Sequence, residues 1–359
     1  MTNIAVMLGQ APVKPFTTAK AVPLAAADPS LVYGIELEIE GIPVTPSEYY
    51  VPGLAGEMDN SLRTTKYGVP WEYITKPATY SVMAHILQQF FAKAKLEQAR
   101  NYSERCSVHV HANVQDLTLD QLQALILLYQ TFEELFFLYA GDERNNNIFC
   151  VPWSQTVMTH SLVEKVATEG IAPVVSWQKY TALNLLPIVH QGTVEFRHLP
   201  GTCDVTRIMN WLQLIGCLFA YARKTSLEAV KAELIQVNTT SEYKGILRNV
   251  FGPFEGLLPV EGLEQALEEG VLNVKYMLCS SGKKKEKSMS QLVAELQREH
   301  DDARFRAAMR PAPRFRPDAR GAIPPRPMEA RQANLGQAEQ QLPQGEARWV
   351  IMDDILPAR

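Results

Sequence analysis

Hydrophobic and polar residues alternate strictly in three short segments of this chain. The segments are residues 34–40 (GIELEIE), 108–111 (VHVH) and 194–197 (VEFR). Because successive side chains of a strand point to opposite faces, each segment predicts a strand with one apolar face. The other face carries glutamates in the first segment, histidines in the second, and a glutamate with an arginine in the third.

The polar face of the first segment carries three glutamates in a row, Glu36, Glu38 and Glu40. Half-exposed antiparallel strands also alternate, but their solvated faces usually mix Thr, Lys, Gln and Ser. Three carboxylates on one face repel one another unless cations neutralise them. The pattern therefore favours a face that binds cations, although Glu40, which adjoins Gly41, is expected to be simply exposed.

The remaining periodicity predicts an α+β fold with a largely antiparallel, curved sheet and helices on its back face. Strand patterns cover residues 32–40, 70–75, 106–114, 181–189 and 193–199. Helix patterns cover residues 79–98, 119–139, 154–168, 204–223, 225–236 and 261–279. The helix at 119–139 is the clearest, since Thr118 and Gln121 suit a capping box ahead of an apolar stripe.

Composition shifts divide the chain into five predicted regions. Residues 1–30 form a loosely held N-terminal arm and residues 31–281 the folded region. Residues 282–309 form a basic loop and a helix. Residues 310–347 are a Pro/Arg/Gln-rich linker that we expect to be disordered. Residues 348–359 are apolar again, and we expect this C-terminal peptide to dock on a protein partner or back on its own domain.

Composition and charge narrow the function classes. The 359 residues are 46% hydrophobic and 21% charged, and the net charge of −4 argues against nucleic-acid binding by the whole surface. The sequence shows no run of 18 apolar residues and no secretory signal, so we expect no membrane partner. Five scattered cysteines without CxxC spacing are typical of reduced thiols in a cytoplasmic protein, and we interpret Cys106 and Cys150 as packing residues.

Six motifs follow one another in an order that resembles a known enzyme family. They are G-x-E-x-E at 34–38, D-x-S-L-R at 59–63, WEYITKP at 71–77, HVH at 109–111, YTALNL at 180–185 and VEFR at 194–197. This order is similar to the amidoligases, ATP-dependent carboxylate–amine ligases distantly related to glutamine synthetase and glutamate–cysteine ligase. The resemblance covers about residues 33–225. It implies a glutamine-synthetase-like catalytic domain over residues 31–281.

The resemblance also implies a reaction. Such a ligase activates a carboxylate as an acyl phosphate at the expense of ATP and joins it to an amine, forming an amide or isopeptide bond. Cations and arginines must neutralise the oxygens that gather in both steps. The implied cation is Mg²⁺, with Mn²⁺ as the alternative, since carboxylate oxygens suit hard cations. The implied partners are small-molecule or peptide acids and amines, including peptide, cell-wall or protein substrates, and family members occur in phages and bacteria.

Positions in the family pattern imply roles for single residues. The implied metal ligands are Glu36, Glu38, Glu72, His109 and Glu195. His111 is expected to contact ATP or substrate. Arg197 is expected to stabilise the transferring phosphate as a catalytic residue and to bind the nucleotide, because its fork suits phosphate oxygens.

Other positions of the pattern are weaker candidates. The resemblance implies that Asp59 and Arg63, on a loop, contact substrate or phosphate during catalysis. Arg144 and Asn147 resemble family positions near the site, and Arg144 is expected to bind the nucleotide, although turn chemistry alone explains the asparagines around it. Asn184 is either a nucleotide or substrate ligand or a residue that ends a strand.

Two other function classes remain open. The H-x-H pair is also a ligand pair of metal-dependent hydrolases, which would want further histidine or aspartate ligands on later strands and would work without ATP. Alternatively, the chain is a non-catalytic scaffold on a degenerate ligase fold, with its Arg/Pro-rich tail and C-terminal peptide as the working parts. No P-loop is visible, so in the ligase interpretation metals and arginines hold the phosphates.

Overall fold

The computed structural model describes residues 2–43, 49–145, 147–156, 165 and 169–280. Within these residues, seven strands form one sheet in which all pairs are antiparallel. The strands are β1 (Val32–Ile42), β2 (Leu54–Met58), β3 (Val69–Thr75), β4 (Ala78–Thr79), β5 (Ser107–Asn113), β6 (Leu183–Asn184) and β7 (Thr193–Pro200). Their order across the sheet is β2-β3-β1-β5-β7-β6, and β4 pairs with the start of β1.

The three alternating segments lie in β1, β5 and β7, which are neighbours in this order. The strand predicted at 181–189 was mostly wrong: β6 has two residues, because Pro187 begins the short helix Pro187–Gln191. The sequence did not predict β2, most of which is exposed. An exposed strand needs no apolar alternation, so it leaves no periodic signal.

Helices account for most of the remaining described residues. Their bounds are Ile4–Leu8, Tyr80–Ala94, Gln98–Asn101, Leu119–Ala140, Asp142–Asn145, Pro187–Gln191, Val205–Lys224, Leu227–Ile235, Thr240–Phe251 and Leu263–Ser280. Short 3₁₀ turns are Trp153–Gln155, Ala172–Ser176 and Gly252–Leu257. Five predicted helices are confirmed, and the sixth, at 154–168, lies largely outside the described residues. The helix Thr240–Phe251 was missed, although Thr239 and Glu242 form a capping box at its start.

The apolar face of the sheet forms the core together with the helices. The back-face residues of the three alternating segments are almost fully buried: Ile35, Leu37, Ile39, Val108, Val110, Val194 and Phe196. The helix Leu119–Ala140 begins at the predicted capping box and buries its apolar stripe in the same core. Burying one such side chain stabilises the fold by about 1.5–3 kcal/mol. Stability therefore comes from the back of the sheet, which leaves the front free for polar chemistry.

The N-terminal segment is tied to this core. Gln10 Nε2 donates to the carbonyl oxygens of Ile188 and Val189 at 3.0 and 2.8 Å, and Phe16 bridges to Ala78. The composition of residues 1–30 had suggested a loosely held arm, whereas the structure anchors the segment by long-range hydrogen bonds. Such contacts join distant parts of the chain and leave no local pattern.

These features confirm the α+β fold and the antiparallel sheet with helices. Among the described residues, no helix is long and apolar enough to cross a membrane. Cys106 and Cys150 are buried, and burial raises the pKa of each thiol to about 12, which agrees with their interpretation as packing residues. The predicted regions at 282–309, 310–347 and 348–359 lie outside the described residues.

Candidate active site

The register of the sheet brings the polar faces of four strands together. Glu38 of β1 is opposite Glu72 of β3, and His111 of β5 is opposite Glu195 of β7. Directly opposite residues share a face. The glutamates, histidines and arginine of the three alternating segments therefore lie side by side on the front of the sheet.

Three overlapping groups of side chains on this face could each hold a metal ion. They are Glu36–His111–Glu195, Glu36–Glu72–His109 and Glu38–Asp59–Glu72, and the ligand atoms within each lie within 4.8 Å of one another. All five predicted metal ligands are among them. His111 and Asp59, for which the sequence implied other roles, are there as well. Carboxylate oxygens dominate the set, which suits a hard divalent cation.

The site has two differently charged halves. We call Glu36, His109, His111 and Glu195 the histidine half, because carboxylates and imidazoles alternate there. We call Glu38, Asp59 and Glu72 the carboxylate half, because its potential ligands are carboxylates alone.

Glu36 is the centre of the histidine half. Its Oε2 lies 3.2 Å from His109 Nδ1, and its Oε1 lies 3.1 Å from His111 Nε2. Burial raises the pKa of the Glu36 carboxyl, but the two imidazoles outweigh burial, so the pKa falls well below its usual range. Burial lowers the pKa of His111, and the carboxylate of Glu36 outweighs it, so that pKa rises.

Glu195 is held by donors on both sides. Asn184 Nδ2 donates to its Oε2 at 2.6 Å, and Arg197 forms an ion pair with its Oε1. Burial raises the pKa of Glu195, but Arg197 and then the two imidazoles outweigh burial and lower it. The carboxylate of Glu195 is thus ionised and oriented. Asn184 contacts this candidate ligand from β6, so it does more than end a strand.

Glu38 joins the two halves. Its Oε2 accepts a hydrogen bond from the backbone N–H of Ser107 at 2.7 Å and another from the Ser107 hydroxyl. The same hydroxyl lies 2.7 Å from His109 Nε2. The sequence reasoning missed Ser107, although its position two residues before His109 on a strand places both on one face.

The carboxylate half contains no ion pair among the described residues, because no basic side chain there pairs with Glu38, Asp59 or Glu72. Burial, followed by the negative charges of Glu36, Glu38, Asp59 and Glu57, raises the pKa of Glu72 to about 9. A bound cation would become the largest local charge and reverse this effect.

Two arginines adjoin the histidine half. Arg197 Nε donates to the carbonyl oxygen of Phe149 at 3.0 Å, so this contact and the ion pair with Glu195 fix its guanidinium. Arg144 is 1% exposed and donates from Nη2 to the carbonyl oxygen of Arg197 at 2.7 Å, while its Nε has no hydrogen-bond partner among the described residues. Burial lowers the pKa of Arg144. Arg144 therefore supports the backbone that carries Arg197.

The loop after β2 lies beside the carboxylate half. Asp59 accepts hydrogen bonds from the backbone N–H and the hydroxyl of Ser61, at 2.7 and 2.8 Å. The side chain of Arg63 is exposed, and its backbone N–H donates to Glu40 Oε1 at 2.9 Å. Glu40 is only 4% exposed, so the expectation that it is exposed was wrong. The buried carboxylate of Glu40 is satisfied by the backbone N–H of Arg63 and so anchors the loop that carries Arg63.

Glu133, another buried polar group behind the sheet, was not predicted from the sequence. Glu133 is 1% exposed and accepts from the hydroxyl of Tyr129 at 2.9 Å and from the backbone N–H of Trp153 at 2.6 Å. The Tyr129 hydroxyl also lies 2.9 Å from Nε2 of His198, the residue after Arg197. A glutamate within an apolar helix stripe gives no local sign of such long-range partners.

The arrangement bears on the metal-dependent hydrolase alternative. Within the described part of the chain, His109 and His111 never belong to the same ligand group. Each imidazole instead faces a carboxylate, and a guanidinium lies beside Glu195. The described geometry thus places the two imidazoles in separate potential ligand groups that share Glu36.

Comparison with known proteins identifies one related family. Residues 54–218 match the family described as "putative amidoligase enzyme". The matched range begins at β2 and ends inside the helix Val205–Lys224. It includes every candidate site residue except Glu36 and Glu38, which lie on β1 and complete the ligand groups from outside the range. Among curated proteins, none matches this chain.

Proposed function

We propose that this chain, a member of the amidoligase family over residues 54–218, is an ATP- and Mg²⁺-dependent ligase that joins a carboxylate to an amine. The observation that carries the proposal is the juxtaposition of three overlapping groups of potential metal ligands with the fixed guanidinium of Arg197. We further propose a glutamine-synthetase-like catalytic domain, which the antiparallel sheet with metal-ligand candidates on one face supports.

The proposed reaction has two steps. An oxygen of the acid's carboxylate attacks the γ-phosphorus of ATP, the bond to the bridging oxygen breaks and ADP leaves. The amine nitrogen then attacks the carbonyl carbon of the acyl phosphate, inorganic phosphate leaves and the nitrogen loses a proton. Both steps concentrate negative oxygen atoms, and positive groups fixed in advance lower the barrier of such reactions.

The ligand set fits Mg²⁺, with Mn²⁺ as the alternative. The residues that would hold it are the predicted Glu36, Glu38, Glu72, His109 and Glu195, joined by His111 and Asp59. When bound, such cations neutralise phosphate oxygens and act as Lewis acids. The negative charge of the carboxylate half and the raised pKa of Glu72 support this fit, because both are relieved when a cation binds.

Arg197 is the proposed catalytic arginine. The ion pair with Glu195 and the hydrogen bond to the Phe149 carbonyl hold its guanidinium in one orientation. A fixed fork suits the oxygens of a transferring phosphoryl group. Arg144 contributes by holding the carbonyl oxygen of Arg197, and Asn184 by orienting Glu195.

Asp59 and Arg63 are the proposed contacts to substrate or phosphate. Asp59 belongs to the carboxylate half, and the exposed guanidinium of Arg63 lies on the same loop. His111 is the proposed contact on the nucleotide side. The Thr193 hydroxyl lies 3.0 Å from its Nδ1, which leaves Nε2 facing Glu36.

Nucleotide binding tests the proposal. A non-hydrolysable ATP analogue with Mg²⁺ should raise the melting temperature, because a ligand that binds only the native state stabilises it. The rise should require both components and be lost in Glu38→Gln. It should persist in Glu57→Gln, a matched control on β2 that is exposed and belongs to none of the ligand groups. A melting temperature that does not respond to the analogue with Mg²⁺ would contradict the proposal.

A further inference from the structure

Two partly exposed aromatic rings lie at the edge of the candidate site. Phe149 is 38% exposed and Tyr180 is 45% exposed. Their ring centroids are 5.4 Å apart, and the ring planes meet at 77°, an edge-to-face arrangement. Aromatic pairs of this geometry gain energy beyond the burial of their area. We call Phe149 and Tyr180 the aromatic wall.

Hydrogen bonds to the backbone connect the two loops that carry the aromatic wall. The backbone N–H of Val151 donates to the carbonyl oxygen of Tyr180 at 2.8 Å, and the N–H of Ala182 donates to the carbonyl oxygen of Val151 at 2.8 Å. Asn147 Oδ1 accepts from the N–H of Phe149 at 2.9 Å. The two loops that carry the rings are thus joined, so their backbones need not be ordered again when a ligand binds.

The aromatic wall is continuous with the proposed catalytic arginine. The carbonyl oxygen of Phe149 accepts the Nε–H of Arg197, and the Arg197 guanidinium lies 5.8 Å from the Tyr180 ring centroid. The ammonium of Lys179 lies 5.8 Å from the same ring. Two cations therefore lie against the Tyr180 ring, and one of them, Arg197, is also paired with Glu195.

We propose that this edge binds the acid substrate, with the carboxylate at Arg197 and an aromatic or large apolar substituent against the aromatic wall. The charges favour an anion with an apolar body, because the exposed ring of Tyr180 has two cations against it, the exposed ammonium of Lys179 and the buried guanidinium of Arg197. The inference rests on the proposed function, and it adds a substrate class: carboxylic acids whose side chain carries a ring or a large apolar group.

Titration with two simple acids tests the inference. N-acetyl-L-phenylalanine and N-acetylglycine share the carboxylate and differ in the ring. By isothermal titration of the full chain, the aromatic acid should bind about fivefold more tightly, the order expected for one aromatic contact. Tyr180→Ala should abolish the preference, and Tyr180→Phe should keep it. Tyr50→Ala is the matched control, since Tyr50 is a 65% exposed tyrosine outside the site.

Three outcomes would overturn the inference: equal affinities for the two acids, binding of neither acid, or an unchanged preference in Tyr180→Ala. Each titration is run with and without Mg²⁺ and the non-hydrolysable ATP analogue. If the wild type does not bind that analogue, the proposed function fails, while the titrations without nucleotide still decide the role of the aromatic wall. If the analogue binds and the acids do not differ, only the inference fails.

Discussion

The two halves of the site differ in how their buried carboxylates are neutralised. In the histidine half, each carboxylate has an imidazole or a guanidinium as neighbour, and the pKa values of Glu36 and Glu195 are lowered. In the carboxylate half, negative groups face one another, and the pKa of Glu72 rises to about 9. The halves are contiguous, since Glu36 and Glu72 join the ligand groups to one another.

This difference indicates which half of the site needs an external cation. Like charges packed together destabilise the folded state unless protons or cations neutralise them. The histidine half is neutralised by the chain itself. The carboxylate half is not neutralised by any ion pair among the described residues. We therefore expect the carboxylate half to determine the affinity for cations, and the histidine half and Arg197 to bind the phosphate groups.

We expect the greatest loss of activity when Arg197, beside the histidine half, is replaced. Arg197→Lys keeps the positive charge but loses the fork, so phosphate release from ATP should slow by about 100-fold while the protein still folds. The rate is measured with the acid and amine pair on which the wild type is most active. Arg248→Lys is the control, because Arg248 is a largely exposed arginine on the helix Thr240–Phe251. Wild-type turnover in Arg197→Lys would remove Arg197 from the chemistry.

The next effect concerns the carboxylate half. Glu72→Gln removes, from two of the ligand groups, a carboxyl that would ionise when a cation binds, and Mn²⁺ affinity in calorimetric titrations should fall by at least about tenfold. Glu57→Gln is a matched control, because Glu57 is the exposed partner of Glu72 in the β2–β3 register and belongs to no ligand group. Equal losses in both variants would show that general charge, and not a ligand position, sets the affinity.

The stability of the folded state should depend on pH through the carboxyl group of Glu72. In the metal-free protein, Glu72 titrates at about 9 when folded, against an ordinary value of 4.5. Between these values the folded state binds a proton that the unfolded state does not, so the contribution of Glu72 to stability falls as pH rises. The melting temperature of the wild type should therefore fall relative to Glu72→Gln between these pH values, and Mg²⁺ should offset the fall. Parallel curves for the two proteins would contradict the raised pKa.

The smallest expected effect is at Asn184. Asn184→Ala removes one of the donors to Glu195, but Arg197 remains. Losing one such hydrogen bond costs about 1 kcal/mol, so Mn²⁺ affinity should fall only a few-fold by the same titration. A loss as large as that in Glu72→Gln would mean that the two halves are not as different as proposed.

The strands that carry the chemistry were predictable because strand alternation is a local property. Residues 34–40, 108–111 and 194–197 fall in β1, β5 and β7 with the expected faces. The neighbours of each strand were not predictable, since pairing joins residues far apart in the chain. The contact of Glu36 with both imidazoles follows from the β1–β5 register alone.

The candidate residues differed in how far the sequence could place them. Asp59 was expected at substrate or phosphate, yet it joins Glu38 and Glu72 because the exposed β2 strand ends there. His111 was expected at the nucleotide, and it also faces two potential metal ligands. Arg144 was expected at the nucleotide too, but its burial and its hydrogen bond to Arg197 depend on packing that no local pattern reveals.

We propose that the carboxylate half binds a divalent cation. Anomalous diffraction from crystals of the protein soaked in Mn²⁺ tests this binding. We expect a manganese peak within ligand distance, about 2.0–2.3 Å, of carboxylate oxygens of Glu38, Asp59 and Glu72. Manganese peaks elsewhere in the protein, with none at these three carboxylates, would contradict it.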